Sequence, residues 1–254
     1  MRKLNQPNLF DMIQCGKWKQ LSRALRSKKA VEWIRTQRDD SNLTCLSLAL
    51  GYQAPIEIIE QMINLDPQLA YEKDNFGETS LHVACLNGAP LNLVSLLLER
   101  HEDIAYEADH DNRVALHHAV EYSCEREVSD DDTHETYIDV MQSLCDAAPS
   151  TLYNFDMSGE TPIDLVQTFK TKYDVSSAMH EKLQLIYREL TDKSIQYYLE
   201  QKDEWELEGY MTNLELGHKS SEPSQEGTSL SSFSTLQTPK SISTRSHCNL
   251  SMIG

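Results

Sequence analysis

The segment DNFGETSLHVA at 74–84 returns as DHDNRVALHHA from Asp109 and, more loosely, as DMSGETPIDLV from Asp156. Aligned on Thr79, a step of 35 residues back reaches Thr44, which opens TCLSLAL, and a step of 35 forward reaches Val114, which opens VALHHAV. Thr161, opening TPIDLVQ, lies 47 residues beyond Val114, the same step with 12 residues inserted. A second series keeps the same phase: IEIIEQMI at 56–63, LNLVSLLL at 91–98 and, past the insertion, IDVMQSLC at 138–145. A chain with such a period must stack its units, because one unit is too small to bury its own apolar face.

Each block has a physical reading. Ile56, Ile59, Met62 and Ile63 follow the spacing of a helix with one apolar side, as do Leu93, Leu96 and Leu97. The residues opening with Thr79 predict a shorter helix, with Leu81 and Ala84 on one side. Gly88 and Ser123 are expected in the turn between the two helices of their units. Gly77, Gly159 and, in the same register, Asn112 mark a place where the backbone takes a positive φ.

The T-S-L-H-x-A of 79–84 and the V-A-L-H-x-A of 114–119 resemble the T-P-L-H-x-A signature of ankyrin repeats, and the similarity covers roughly residues 41–170. The resemblance implies an all-α solenoid of stacked helix–turn–helix units with hairpin-like loops projecting sideways. It implies a structural role for the signature residues Thr79, Leu81, His82, Leu116, His117, Thr161 and Pro162, with His82 and His117 binding backbone of the neighbouring repeat. Ser47 and Asp164 stand where the family has His, and Val114 where it has Thr, so repeats one and four are expected to be less regular.

The repeats are expected at 41–73, 74–108, 109–155 (with an acidic insertion at 123–134) and 156–174. Residues 1–40 read as capping helices: Leu9 lies 35 before Thr44, and Trp18, Leu21 and Leu25 follow Gly16 at helical spacing. Residues 175–208 read as a closing helix with Met179, Leu183, Ile186 and Leu190 inward, and with Tyr197, Tyr198 and Leu199 either continuing the apolar face or docking a partner helix. From 209 to 254 the chain is Ser/Thr-rich and too polar to offset its ordering entropy, so a disordered tail is expected there. Thr238, before Pro239, is the candidate phosphorylation site.

The 254 residues carry a net charge of -17, unevenly spread. Residues 1–40 hold 10 Lys and Arg against 4 Asp and Glu, whereas residues 41–210 hold 10 against 33. So acidic a segment repels phosphate backbones; the expected partner is another protein with a basic surface, bound by a monomer, and not nucleic acid. Apolar residues make up 39%, mean hydropathy is -0.52, and neither a membrane span nor a secretory signal is visible. The 6 cysteines form no C-x-x-C pair and read as reduced thiols, with Cys45, Cys85 and Cys145 as small buried hydrophobes. The expected location is the cytoplasm, with the nucleus as the alternative if the basic run 23–29 acts as a signal.

No phosphate-binding glycine loop, H-E-x-x-H or G-x-S-x-G is present, so no catalytic or cofactor site is expected. The Asp130–Asp132 run lacks the ligand alternation of a calcium loop, and no metal is expected there. Cys124 lies near His117 and His118 but has no partner motif for a thiol nucleophile. The family's variable binding positions fall here on Lys73, Asn75, Phe76, Glu78, Leu86 and Asn87; on His110, Asp111, Arg113, Glu121 and Tyr122; and on Met157, Ser158, Glu160 and Phe169. Phe76, Tyr122 and Arg113 are the expected anchors of a non-catalytic adaptor. The alternatives are a regulator or inhibitor whose phosphorylated tail controls access, and, more remotely, an enzyme with an unrecognised site.

Overall fold

The computed structural model describes residues 6–125, 134–172 and 177–216. Two units can be distinguished, Met1–Glu208 and Gly209–Gly254. The tail beyond 216, with Thr238, lies outside the described residues, as does most of the acidic insertion. The described residues form an all-helical fold, with no strand beyond an isolated bridge between Ala108 and Val114.

The phase of the repeat becomes a phase of helices. The first helices are α4 (Cys45–Gly51), α6 (Ser80–Leu86), α8 (Ala115–Glu125) and α10 (Pro162–Lys172). Second helices follow as α5 (Ile56–Leu65), α7 (Leu91–Arg100) and α9 (His134–Ala147), each leading into a short 3-10 segment. Ahead of them lie α1 (Leu9–Gln14), α2 (Trp18–Leu25) and α3 (Ala30–Thr36), and after them α11 (Ser177–Leu216). First helices stack in order, α4 on α6 on α8 on α10, and α7 packs on α9. Their buried faces form one continuous core, from Leu9, Ile13 and Leu21 through Leu46, Ile59, Leu81 and Leu97 to Leu116, Leu144 and Leu152.

Each first helix starts on a local cap. The Thr79 N–H donates to His82 Nδ1 at 3.2 Å, and the Thr79 hydroxyl lies 2.7 Å from the same nitrogen. At Val114 the backbone N–H donates to His117 Nδ1 at 3.2 Å, although no hydroxyl is present. In α4, Thr44 Oγ1 accepts the Ser47 N–H at 2.9 Å; before α10, Thr161 donates its N–H to Asp164 Oδ2 at 3.0 Å. Thr44 and Asp164 therefore supply the cap in the repeats where the family's His is replaced. The two histidines also reach outward: His82 Nε2 lies 3.1 Å from the Arg113 carbonyl, and His117 Nε2 lies 3.3 Å from that of Glu160. A ring whose Nδ1 accepts from backbone carries its proton on Nε2, so each donates into the next repeat.

Two expectations need correction. Ser123 is not in a turn: α8 continues through it to Glu125, and Ser123 is buried. Neither Ser123 nor Cys124 breaks a helix, so α8 has 11 residues where α6 has 7. The insertion thus divides: 123–125 extend α8, His134 opens α9, and 126–133 lie outside the described residues. On α11, Leu183, Ile186 and Leu190 are buried, but Tyr198 and Leu199 are exposed, together with Ile195. Tyr153 meets the helix at Ser194, donating to its carbonyl at 2.9 Å, and at Tyr197, with rings 6.0 Å apart. Tyr198 and Leu199 therefore do not continue the core face.

Candidate functional site

The loops that precede the first helices are each held by an Asp side chain that gathers two of their backbone N–H groups. In repeat two Asp74 Oδ1 accepts the N–H groups of Phe76 and Glu78, both at 2.9 Å. Asp109 does the same for Asp111 and Arg113 at 2.8 and 2.9 Å, and Asp156 for Ser158 and Glu160 at 2.8 and 3.0 Å. Each loop is also tied to the one before it: Asn75 N–H donates to Ser41 O, His110 N–H to Phe76 O and Met157 N–H to Asp111 O, at 2.9, 2.9 and 2.8 Å. The Asp side chains and this main-chain ladder together fix the row of tips.

The ankyrin-repeat family model, described as three copies, matches residues 21–129. The chain contains ankyrin repeats. The match begins inside the segment expected to be a cap and ends before repeat four, whose loop nonetheless repeats the geometry of the Asp74 and Asp109 loops. No curated protein matches the chain. Ankyrin repeats are generally protein–protein interaction modules, and the family is typically non-enzymatic.

On this ankyrin scaffold the expected contact residues separate into two groups. Phe76 is 45% and Met157 76% exposed, and Asn75, Leu86, His110 and Ser158 are exposed as well. Asn75 also donates its side-chain amide to Asp40 O at 3.2 Å, and Lys73, likewise exposed, pairs with Glu107 at 2.7 Å. The others are engaged by the fold. Tyr122 of α8, expected as an anchor, packs inward: a Cβ on Gly88 would sit 2.0 Å from its ring, and the ring of Tyr137 on α9 lies 5.4 Å from it, tilted by 50°. Arg113 is mostly buried and pairs with Glu121 at 2.7 Å. Phe169 is half-buried against the core, and Asp111 is half-buried. Asn87 turns back to donate to Val83 O at 2.8 Å, and Glu160 accepts from Thr168.

Glu78 departs most from expectation, because it is buried beside Asp109 and His118. His118 Nε2 lies 3.0 Å from Asp109 Oδ2. Burial alone would raise the Asp109 carboxyl, but the hydrogen bonds from His118 and the Arg113 N–H outweigh it and hold it at about 2. Burial pushes His82 down to about 3 and His117 to about 4, so both rings are neutral at neutral pH. The Cys124 thiol is buried and pushed up to about 12, which withholds the thiolate that a nucleophile needs.

Phe155, exposed at the tip of the fourth loop, is absent from the expected contacts. It occupies the register position of Lys73, one residue before the loop Asp, so the repeat phase itself points to it. Its carbonyl accepts from the Asn112 side chain, which ties that tip to repeat three.

Proposed function

We propose that the chain is a non-catalytic adaptor that binds another protein through its loop tips and the adjoining ends of the first helices. The observation that carries this reading is the set of exposed apolar side chains, Phe76, Phe155 and Met157, on loops whose backbone is fixed by the scaffold. Rigid presentation lowers the ordering cost of binding, and a buried aromatic supplies most of the contact energy. The acidity of residues 41–210 favours a basic patch on the partner and speeds encounter with it. Asn75, Leu86, His110 and Ser158 form the rim, while Tyr122 and Arg113 act indirectly by fixing α8 and α9. The organisation that goes with this reading is a capped stack of four repeats at 41–174, working as a monomer.

The test is affinity capture with the full chain, comparing wild type with Phe76→Ala/Met157→Ala, read by quantitative mass spectrometry at low and high salt. A protein retained by wild type, weakened by salt and lost by the double variant supports the reading. Equal retention by both, with unchanged circular dichroism, overturns it.

A further inference from the structure

Three side chains with metal-ligating atoms meet at the junction between repeats two and three. Glu78, Asp109 and His118 are 9%, 6% and 2% exposed, and one donor atom from each lies within 4.8 Å of the other two. The repeat itself does not require them. In the same register the junction of repeats one and two has Leu43, Asp74 and Val83, and that of repeats three and four has Arg113, Asp156 and Leu165. The Asp belongs to the loop of every unit; the Glu and the second His of VALHHAV coincide at one junction only.

Where the next junction has an Arg, this one has a Glu, so two carboxylates share a buried site with an imidazole. Asp109 Oδ1 is occupied by the N–H groups of Asp111 and Arg113, which orients Oδ2 into the cluster, as backbone bonds orient ligands in metal sites. Independently, His118 Nδ1 is buried without a hydrogen-bond partner, so protein contacts use only one of the two ring nitrogens.

We propose that Glu78, Asp109 and His118 bind a divalent first-row transition ion of the zinc class, which joins repeats two and three. One imidazole nitrogen with two carboxylate oxygens suits such an ion better than magnesium or calcium, which prefer all-oxygen sets. Two carboxylates and a neutral imidazole also balance its charge. An ion that binds the folded stack and not the separated repeats stabilises the stack by mass action.

The test uses the full chain after chelator treatment and desalting, with Zn2+ and separately Co2+ as probes. The expected result is one ion retained per chain by elemental analysis, a Zn2+-dependent rise in Tm, and a Co2+ visible spectrum of nitrogen and oxygen ligation. His118→Val, which installs the residue that repeat two has in this register, is expected to weaken Zn2+ binding by about 100-fold or more. Glu78→Gln, nearly isosteric, is expected to weaken it as well. Three results overturn the assignment: no retained ion and no Tm shift in wild type, retention by both variants equal to wild type, or a sulfur-to-cobalt charge-transfer band that places the ion on cysteine.

Discussion

The junctions on either side of repeat three are built from the same parts and end in different surroundings. Both have an Asp, Asp109 or Asp156, that gathers two backbone N–H groups, and both have a His that crosses to the next carbonyl. Yet a Cβ at Gly77 would meet the His110 backbone nitrogen at 2.7 Å, while one at Gly159 would meet nothing within 4 Å. The difference is the following unit. The loop of repeat two is covered by that of repeat three, whereas α10 is the last of the first helices among the described residues, and Met157 remains exposed. One sequence pattern therefore sets a local backbone, and its place in the stack decides whether that backbone is interior or surface.

Substitutions can break this contrast, most strongly at the glycines. Gly77→Ala imposes a side chain at φ +80 and also clashes with main chain, so a loss of about 3 kcal/mol is expected from urea unfolding. Gly159→Ala meets only the φ penalty, at +79, and is expected to cost about 1 kcal/mol. Equal losses at the two sites would mean that burial of the loop contributes nothing.

The crossing histidines give the next largest effect. His82→Ala and His117→Ala each remove a cap acceptor and an inter-repeat donor, and each is expected to cost about 2 kcal/mol, measured by the same unfolding. In chelator-treated protein, pH separates them from the rest of the chain. Their folded values, about 3 and about 4, lie below the ordinary 6.5, so the unfolded chain binds more protons between these limits. Their contribution is complete above about pH 6.5 and is lost as pH falls toward 4 and then 3. A urea midpoint that stays flat over that interval would contradict the buried neutral rings. The smallest effect is expected at the tips: Phe76→Ala should change stability by less than about 0.5 kcal/mol, because that ring is half exposed and its loop is held by Asp74 and by main chain.

The repeat and its helices were legible because the signals are local: Ile59 with Met62, or Leu93 with Leu97, betray a helix face within two turns. Ser123 misled because a serine after an apolar helix reads as a turn residue, while nothing there forces the helix to stop. Tyr122, Arg113 and Glu78 misled for another reason. Their burial depends on Gly88, Tyr137, Glu121 and Asp109, contacts made across turns and between repeats that periodicity does not encode. The cluster at Glu78 was readable only as a doubled His in one copy of the signature.

The ladder that joins Ser41 to Asn75, Phe76 to His110 and Asp111 to Met157 is made of amides and carbonyls, which every residue except proline supplies in full. Mutation at the tips can therefore rewrite the chemical text of this surface while its spelling grid stays in place. Selection for a new binding specificity and selection for a folded chain then act on different atoms, and the two can proceed without conflict.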